Sequence, residues 1–369
     1  MMAFCDLLET YFNEAAHAEG LARRTLKIAG QDVTLQFAGE ATANLMSSAL
    51  AHLEVSGPVE SPGGLTISMW NGARAPSHYV LRAYLYTLAN WWFSYIGPRG
   101  ELVDIHGGDV LATYIPDTRL MSVVDLARNR AFYWKSDTSD PPYYESCSPF
   151  RTLLHGWMRS RGRHFVHGAA VGYADGGVMM VGKGGSGKST SALSCLSSSL
   201  QYAGDDYCIV SGNKTDGFEI HSLYCTAKLV EEKNLEAFPG LAGNVLNPER
   251  VTDEKVALSL YGFRSSKLLR QFPLRAILLP VITGGDETSI VPCSAHDAMM
   301  ALAPTSVSQL PFSDVTDLRY LAEVTRSVPT YRLLLGTKLD EVPLKIEELL
   351  MSLRIQTPRE ESAHATSNQ

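Results

Sequence analysis

Gly176-Gly177-Val178-Met179-Met180-Val181-Gly182-Lys183-Gly184-Gly185-Ser186-Gly187-Lys188-Ser189-Thr190 is the stretch whose reading decides the fold. The apolar run Val178 to Val181 predicts a buried strand, and a helix is predicted over Lys188 to Ser199. Between them, Gly182 to Ser189 satisfies G-x-x-x-x-G-K-[ST]. Glycines let successive backbone N–H groups turn inward around phosphates, and the helix start adds its positive dipole end. Lys188 would then reach the β- and γ-phosphates of a nucleoside triphosphate, and the Ser189 hydroxyl would meet a magnesium ion. The candidate nucleotide-binding residues are therefore Gly182, Gly184, Gly185, Ser186, Gly187, Lys188, Ser189 and Thr190.

Downstream, Ala192, Leu193, Leu196 and Leu200 fall on one helical stripe, so this helix should lay its apolar side on a sheet. The chain then reaches Tyr202-Ala203-Gly204-Asp205-Asp206-Tyr207. Two adjacent carboxylates are expensive to bury unless a cation or proton lies between them. Beside a triphosphate and magnesium they have a use: one can orient the metal or its waters, and the other can accept a hydroxyl proton. Upstream, Arg163-His164-Phe165-Val166-His167-Gly168 brings two histidines to the start of a predicted strand, Phe165 to Tyr173.

Working outward, short apolar strands alternate with helical segments from Phe150 on, as an α/β sheet requires. Further strands are predicted at Tyr207 to Ser211, Phe218 to Leu223, Ala276 to Ile282 and Tyr331 to Gly336, and helices at Ala295 to Leu302, Val315 to Val328 and Val342 to Leu353. Residues 1–148 read as an α+β module suited to substrate recognition, with strand-like runs at Gln31 to Phe37 and Gly64 to Trp70 and an aromatic-rich stretch at Tyr79 to Tyr95. Ser136 to Pro149 has the composition of a linker, so the catalytic domain is expected at 149–356. The polar tail, Thr357 to Gln369, has no apolar anchor and is expected to be disordered.

Composition narrows the partners. The 369 residues carry 32 Lys plus Arg against 39 Asp plus Glu, so the net charge of −7 argues against nucleic acid. No stretch approaches the roughly 18 to 20 apolar residues of a membrane helix, and Met1 to Gly20 carries acids where a signal peptide would be basic, so no membrane partner and a cytoplasmic location are expected. The six cysteines are scattered without a C-x-x-C pair, suggesting neither zinc nor disulfides.

His167-Gly168-Ala169-Ala170-Val171, the Gly176 to Gly182 strand, Gly185-Ser186-Gly187-Lys188-Ser189 and Ala203-Gly204-Asp205-Asp206 together resemble the catalytic core of HPr serine kinase/phosphorylase. The Gly-Asp-Asp element also resembles PEP carboxykinases. The resemblance covers roughly Arg163 to Lys228, and more loosely on to Leu350. It implies a P-loop kinase core of the HPr kinase/PEP carboxykinase type using ATP and Mg2+, with homo-oligomers, as related kinases form. It also implies that Asp205 takes the serine proton, Asp206 joins Ser189 in holding the metal, and His167 sits with Lys188 at the catalytic centre. Two departures stand out. Thr190 replaces the glutamate that follows the loop serine in the bifunctional family, which argues against phosphorolysis. The first ~150 residues match neither that family's regulatory domain nor its HPr-docking helix, which argues against HPr as substrate.

The expected activity is an ATP-dependent kinase for a serine hydroxyl on a peptide or small protein, such as a precursor peptide. The alternatives are a kinase for a small hydroxylated metabolite and a non-catalytic, nucleotide-dependent regulator. Arg250, Arg264 and Arg270 are the cations that could assist transfer from beyond the core.

Overall fold

A computed structural model describes residues 2–57, 63–72, 96–105, 107–137, 141–230, 232–249 and 255–356. The tyrosine- and tryptophan-rich stretch at 79–95, Arg250 and the tail at 357–369 lie outside the described residues. The architecture is mixed α/β with several sheets.

The first sheet holds β1 (Leu21–Ile28), β2 (Gln31–Ala38), β3 (Leu65–Asn71), β4 (Val110–Ile115), β5 (Leu120–Asp125) and β6 (Arg130–Lys135), in the order β1-β2-β3-β6-β5-β4. Its β2–β3 and β3–β6 pairs are parallel. The helix Met2–Glu19 carries Cys5, Leu8 and Phe12 at helical spacing and sets them against Trp70, Phe132 and Trp134 on one face. On the other face lie Met46 of the helix Glu40–Ser47 and Leu154, Trp157 and Met158 of the helix Arg151–Arg159. That apolar cluster continues into Phe165, Tyr207, Ile209, Leu223 and Tyr224 of the second half of the chain.

The second sheet collects β7 (His164–Val166), β8 (Gly168–Tyr173), β9 (Gly176–Val181), β10 (Gln201–Gly204), β11 (Cys208–Asn213) and β12 (Gly217–His221). A two-stranded ribbon of β13 (Thr226–Leu229) and β14 (Val256–Ser259) stands apart, and β15 (Gln271–Ile282), β16 (Ser289–Pro292) and β17 (Thr330–Leu335) complete the sheet. The order is β10-β8-β9-β15-β12-β11-β7, with β17 pairing β15 and β16. Both β9 and β17 run parallel to β15. Val178 and Met180 of β9 pack toward the helices Lys188–Ser194 and Glu341–Gln356. Met179 and Val181 pack toward the helices Ala295–Ser306 and Val315–Ser327. Helices on both faces explain why this strand is an unbroken apolar run. Capping boxes start the last two of those helices, Ser294 with Asp297 and Asp314 with Asp317.

Two elements differ from expectation. The strand predicted over Phe165 to Tyr173 is broken at His167, because β7 pairs β11 while β8 pairs β9 and β10. At the break, the His167 backbone N–H donates to Ser306 Oγ at 3.0 Å instead of to a neighbouring strand. The loop helix ends at Ser194 and continues as a 3-10 turn over Cys195–Ser197. Ser194, Ser197 and Ser198 turn their hydroxyls back onto carbonyls three residues earlier, competing with helical pairing.

Ser136 to Pro149 is described apart from 138–140, and it includes a helical turn, Tyr143–Ser146. After that turn Cys147 and Ser148 are buried. No disulfide joins the cysteines. Among the described residues no helix is long and apolar enough to cross a membrane.

Candidate functional site

The loop between β9 and its helix is shaped by glycine. Gly182, Gly185 and Gly187 adopt φ of 147°, 76° and 102°, values that L side chains resist. Lys188 is only 6% exposed, and its ammonium folds back to donate to the Gly182 carbonyl at 2.7 Å and the Lys183 carbonyl at 3.1 Å. Burial lowers its pKa, against the opposing pull of Asp205 and Asp206. Ser189 Oγ points the other way and donates to Asp205 Oδ1 at 3.0 Å.

The two carboxylates sit just after β10, which carries an irregularity in its pairing with β8 between Tyr202 and Gly204. The Tyr207 N–H donates to the Asp205 carbonyl at 2.9 Å across Asp206, whose φ is 69°. A three-residue turn of this hand is rare and strained. It sends neighbouring side chains into different surroundings. Asp205 is buried, with Oδ1 on the Ser189 hydroxyl and Oδ2 accepting from the Lys228 backbone N–H at 3.2 Å. Burial pushes its pKa up, and the Asp206 charge adds to that, while hydrogen bonds from the Ser189 hydroxyl and from the Lys228 and Asp206 backbone work against it. Burial also acts to raise the pKa of Asp206, but His167 and Lys228 outweigh it and hold that carboxyl far below the usual range. The contacts are His167 Nε2 at 3.3 Å from Oδ1 and the Lys228 ammonium at 2.7 Å from Oδ2. Ser148 Oγ also donates to Oδ2, at 3.3 Å.

These groups line one cleft of about 280 Å³. Of the expected residues, Gly184, Gly185, Gly187, Lys188, Ser189, Thr190, His167, Asp205 and Asp206 reach it, whereas Gly182 and Ser186 do not line it. Ser186 Oγ and His167 Nδ1 are buried with no hydrogen-bond partner among the described residues. The structure also adds Lys228 and Lys255 to the lining, neither of which any motif marked. The only local signal was a lysine in the otherwise fully buried strand Thr226–Leu229. Arg264 and Arg270 do not line the cleft: their guanidinium groups donate to the carbonyls of Leu196 and His52. His164 is likewise turned away, paired with Asp317 at 2.9 Å and stacked on Tyr320. A larger cleft of about 370 Å³ behind the loop helix is lined by apolar groups such as Leu196, Phe238 and Phe263. Of the candidate site residues it contains only Arg264, and none of the loop, carboxylate or histidine groups, so size does not mark the chemistry here. Among the described residues no cluster of three or more His, Cys, Asp or Glu is arranged to hold a metal unaided.

No protein-family model matches the chain. No curated protein matches it either. One solved structure similar to it is the Hpr(Ser) kinase/phosphatase from Coxiella burnetii, at 10% identity and a TM-score of 0.28, covering 52% of this chain and 97% of that one. Likeness at that level carries no weight, and what the cleft can do follows from its own geometry.

Proposed function

We propose that this cleft binds a nucleoside triphosphate with magnesium and transfers its terminal phosphoryl group to a hydroxyl, with ATP as donor. The observation that carries the proposal is the convergence of a glycine-shaped loop, its lysine and serine, and a pair of adjacent carboxylates, one buried and one half-buried, on one cleft. Backbone turned by glycine can approach phosphates closely, and Lys188 needs only to leave two carbonyls to meet them. Within the same loop the buried Ser186 hydroxyl, without a hydrogen-bond partner among the described residues, adds an unsatisfied polar group.

The donor set suits magnesium, which takes oxygen ligands and is commonly held by one or two carboxylates plus phosphates rather than by an all-protein cage. Ser189 and Asp205 would hold it, since their side chains already meet. When bound, the ion would neutralise charge on the phosphates. The hydrogen bond from Ser189 supports Asp205 as the metal-side carboxylate. Asp206, with a more exposed side chain (24%) beside His167, suits the acceptor side. This exchanges the two roles that the family resemblance implies.

Chemically, the acceptor oxygen forms a bond to the γ-phosphorus as the bond to the diphosphate leaving group breaks. Asp206, held ionised by Lys228 and His167, accepts the hydroxyl's hydrogen bond and takes its proton late, once the bond to phosphorus has made that proton strongly acidic; His167, 3.3 Å from Oδ1, orients the carboxylate. A serine of a peptide or small protein is the acceptor class we favour, selected by the surface of residues 1–148. Small hydroxylated metabolites are the competing class. The test is transfer of labelled phosphate from ATP, with magnesium, to panels of serine peptides and of small alcohols, compared between wild type and Asp206→Asn. ATP bound but never transferred would leave a nucleotide-dependent regulator, and no ATP binding at all would refute the proposal.

A further inference from the structure

Lys228 enters the cleft from β13, an element separate from the loop that carries Lys188. It serves both carboxylates at once: its backbone N–H donates to Asp205, and its ammonium donates to Asp206 at 2.7 Å and to Ser148 at 3.3 Å. Only 11% of the side chain is exposed. Burial disfavours its charge, yet Asp206 holds the ammonium protonated. A buried cation is costly, and neutralising one carboxylate is a small return unless a second anion arrives. An ammonium has three donors on a flexible stem, so it can keep Asp206 and also meet a phosphate oxygen. Among the described residues the cleft is lined by three lysines, Lys188, Lys228 and Lys255, and by no arginine.

Building on the phosphotransferase reading, we propose that Lys228 is the cation that contacts the terminal phosphate of the bound triphosphate and offsets the charge developing there during transfer. Lys188 holds the phosphates from the loop side, and Lys228 bridges the terminal phosphate to Asp206. The bridge brings the acceptor-side carboxylate and the reacting phosphorus to one cation.

The experiment compares ATP and ADP affinities, with magnesium, by calorimetry for wild type, Lys228→Ala and Lys228→Arg. A charged hydrogen bond to the terminal phosphate predicts that Lys228→Ala weakens ATP by roughly tenfold to a hundredfold and ADP by less than about threefold. Lys228→Arg should recover part of the preference for ATP. Because Lys228→Ala leaves the half-buried Asp206 charge without its lysine, the comparison is repeated with Lys228→Ala added to Asp206→Asn, which removes that charge. The same selective loss there supports the assignment. Equal weakening of ATP and ADP, or no change in either, overturns it while leaving the phosphotransferase reading standing. A wild-type protein that binds neither nucleotide overturns both.

Discussion

A methyl group added at two loop glycines should separate strain from ligand contact. At Gly187, with φ 102°, a built Cβ would lie 2.5 Å from Leu335 Cδ1 and 3.9 Å from Ile282 Cγ1. The left-handed backbone costs an L residue about 1–2 kcal/mol, and overpacking adds about 1–3 kcal/mol. Leu335 is buried but meets the new methyl with its flexible end, which favours the lower half, about 2–3 kcal/mol. At roughly 2–4 °C per kcal/mol for domains of ~150–250 residues, Gly187→Ala should lower Tm by several degrees. It should also weaken triphosphate binding, because Lys188 is the next residue. At Gly184 a built Cβ meets nothing within 4 Å, so Gly184→Ala should leave Tm unchanged. If phosphates pack against that backbone, however, the methyl takes their place, and ATP affinity should fall by tenfold or more, worth about 1.4 kcal/mol. Thermal melting with and without MgATP, together with calorimetric titration, reads both effects. A Gly187→Ala protein that melts and binds like wild type would refute the strain estimate, and a Gly184→Ala protein with full ATP affinity would refute the close approach of phosphate to the loop.

Lys188→Ala should abolish phosphoryl transfer and weaken ATP binding, since it removes the loop lysine that lines the cleft; transfer at near the wild-type rate in a labelled-ATP assay would remove the phosphate-loop assignment. Asp205→Asn should abolish transfer yet raise Tm at pH 7. Burial and then Asp206 raise the folded pKa of Asp205, so its stabilising contribution is present below the ordinary carboxylate range and is lost as pH rises through the folded value. An amide mimics the protonated form, and the Tm advantage should close in acid; an advantage that grows in acid would reverse the sign. Asp206→Asn should behave oppositely and lower Tm at pH 7, because His167 and Lys228 hold this carboxyl ionised and the substitution leaves the buried Lys228 charge without its anion. Trp157→Ala should cost about 3–5 kcal/mol in chemical denaturation, since the indole is fully buried, donates to Asn129 at 3.0 Å and carries Arg161 over its ring.

Much of the second half of the chain was legible because its signals are local. The apolar run Val178 to Val181 announced a strand, and the structure adds that helices cover both of its faces. The break at His167 was not legible, because nothing in His164-Phe165-Val166-His167-Gly168 says that the chain changes pairing partners there; that depends on where β11 and β9 lie. The shortening of the loop helix was legible in principle, from serines at 194, 197 and 198 that compete for backbone carbonyls, but helical periodicity of the leucines outweighed them. Lys228 was hidden for a different reason. It lies 22 positions beyond Asp206 in a strand without a motif, and only tertiary pairing brings the two together.

The carboxylate pair bears on the proposed chemistry through the turn that separates it. Adjacent aspartates predict repulsion from sequence, and repulsion alone would raise both pKa values. Instead the turn at Asp206, with φ 69°, directs Asp205 toward the loop serine and Asp206 toward His167 and Lys228, and the two pKa values move in opposite directions. Carboxylates driven apart in this way are suited to different tasks at one pH. A glycine would relieve the strain at that position but would supply no carboxylate, so an aspartate held there at positive φ fits a site in which both carboxylates are used. A loop that only bound nucleotide would need one carboxylate near its serine, and the second, tied to a buried lysine on another strand, supports transfer rather than binding alone.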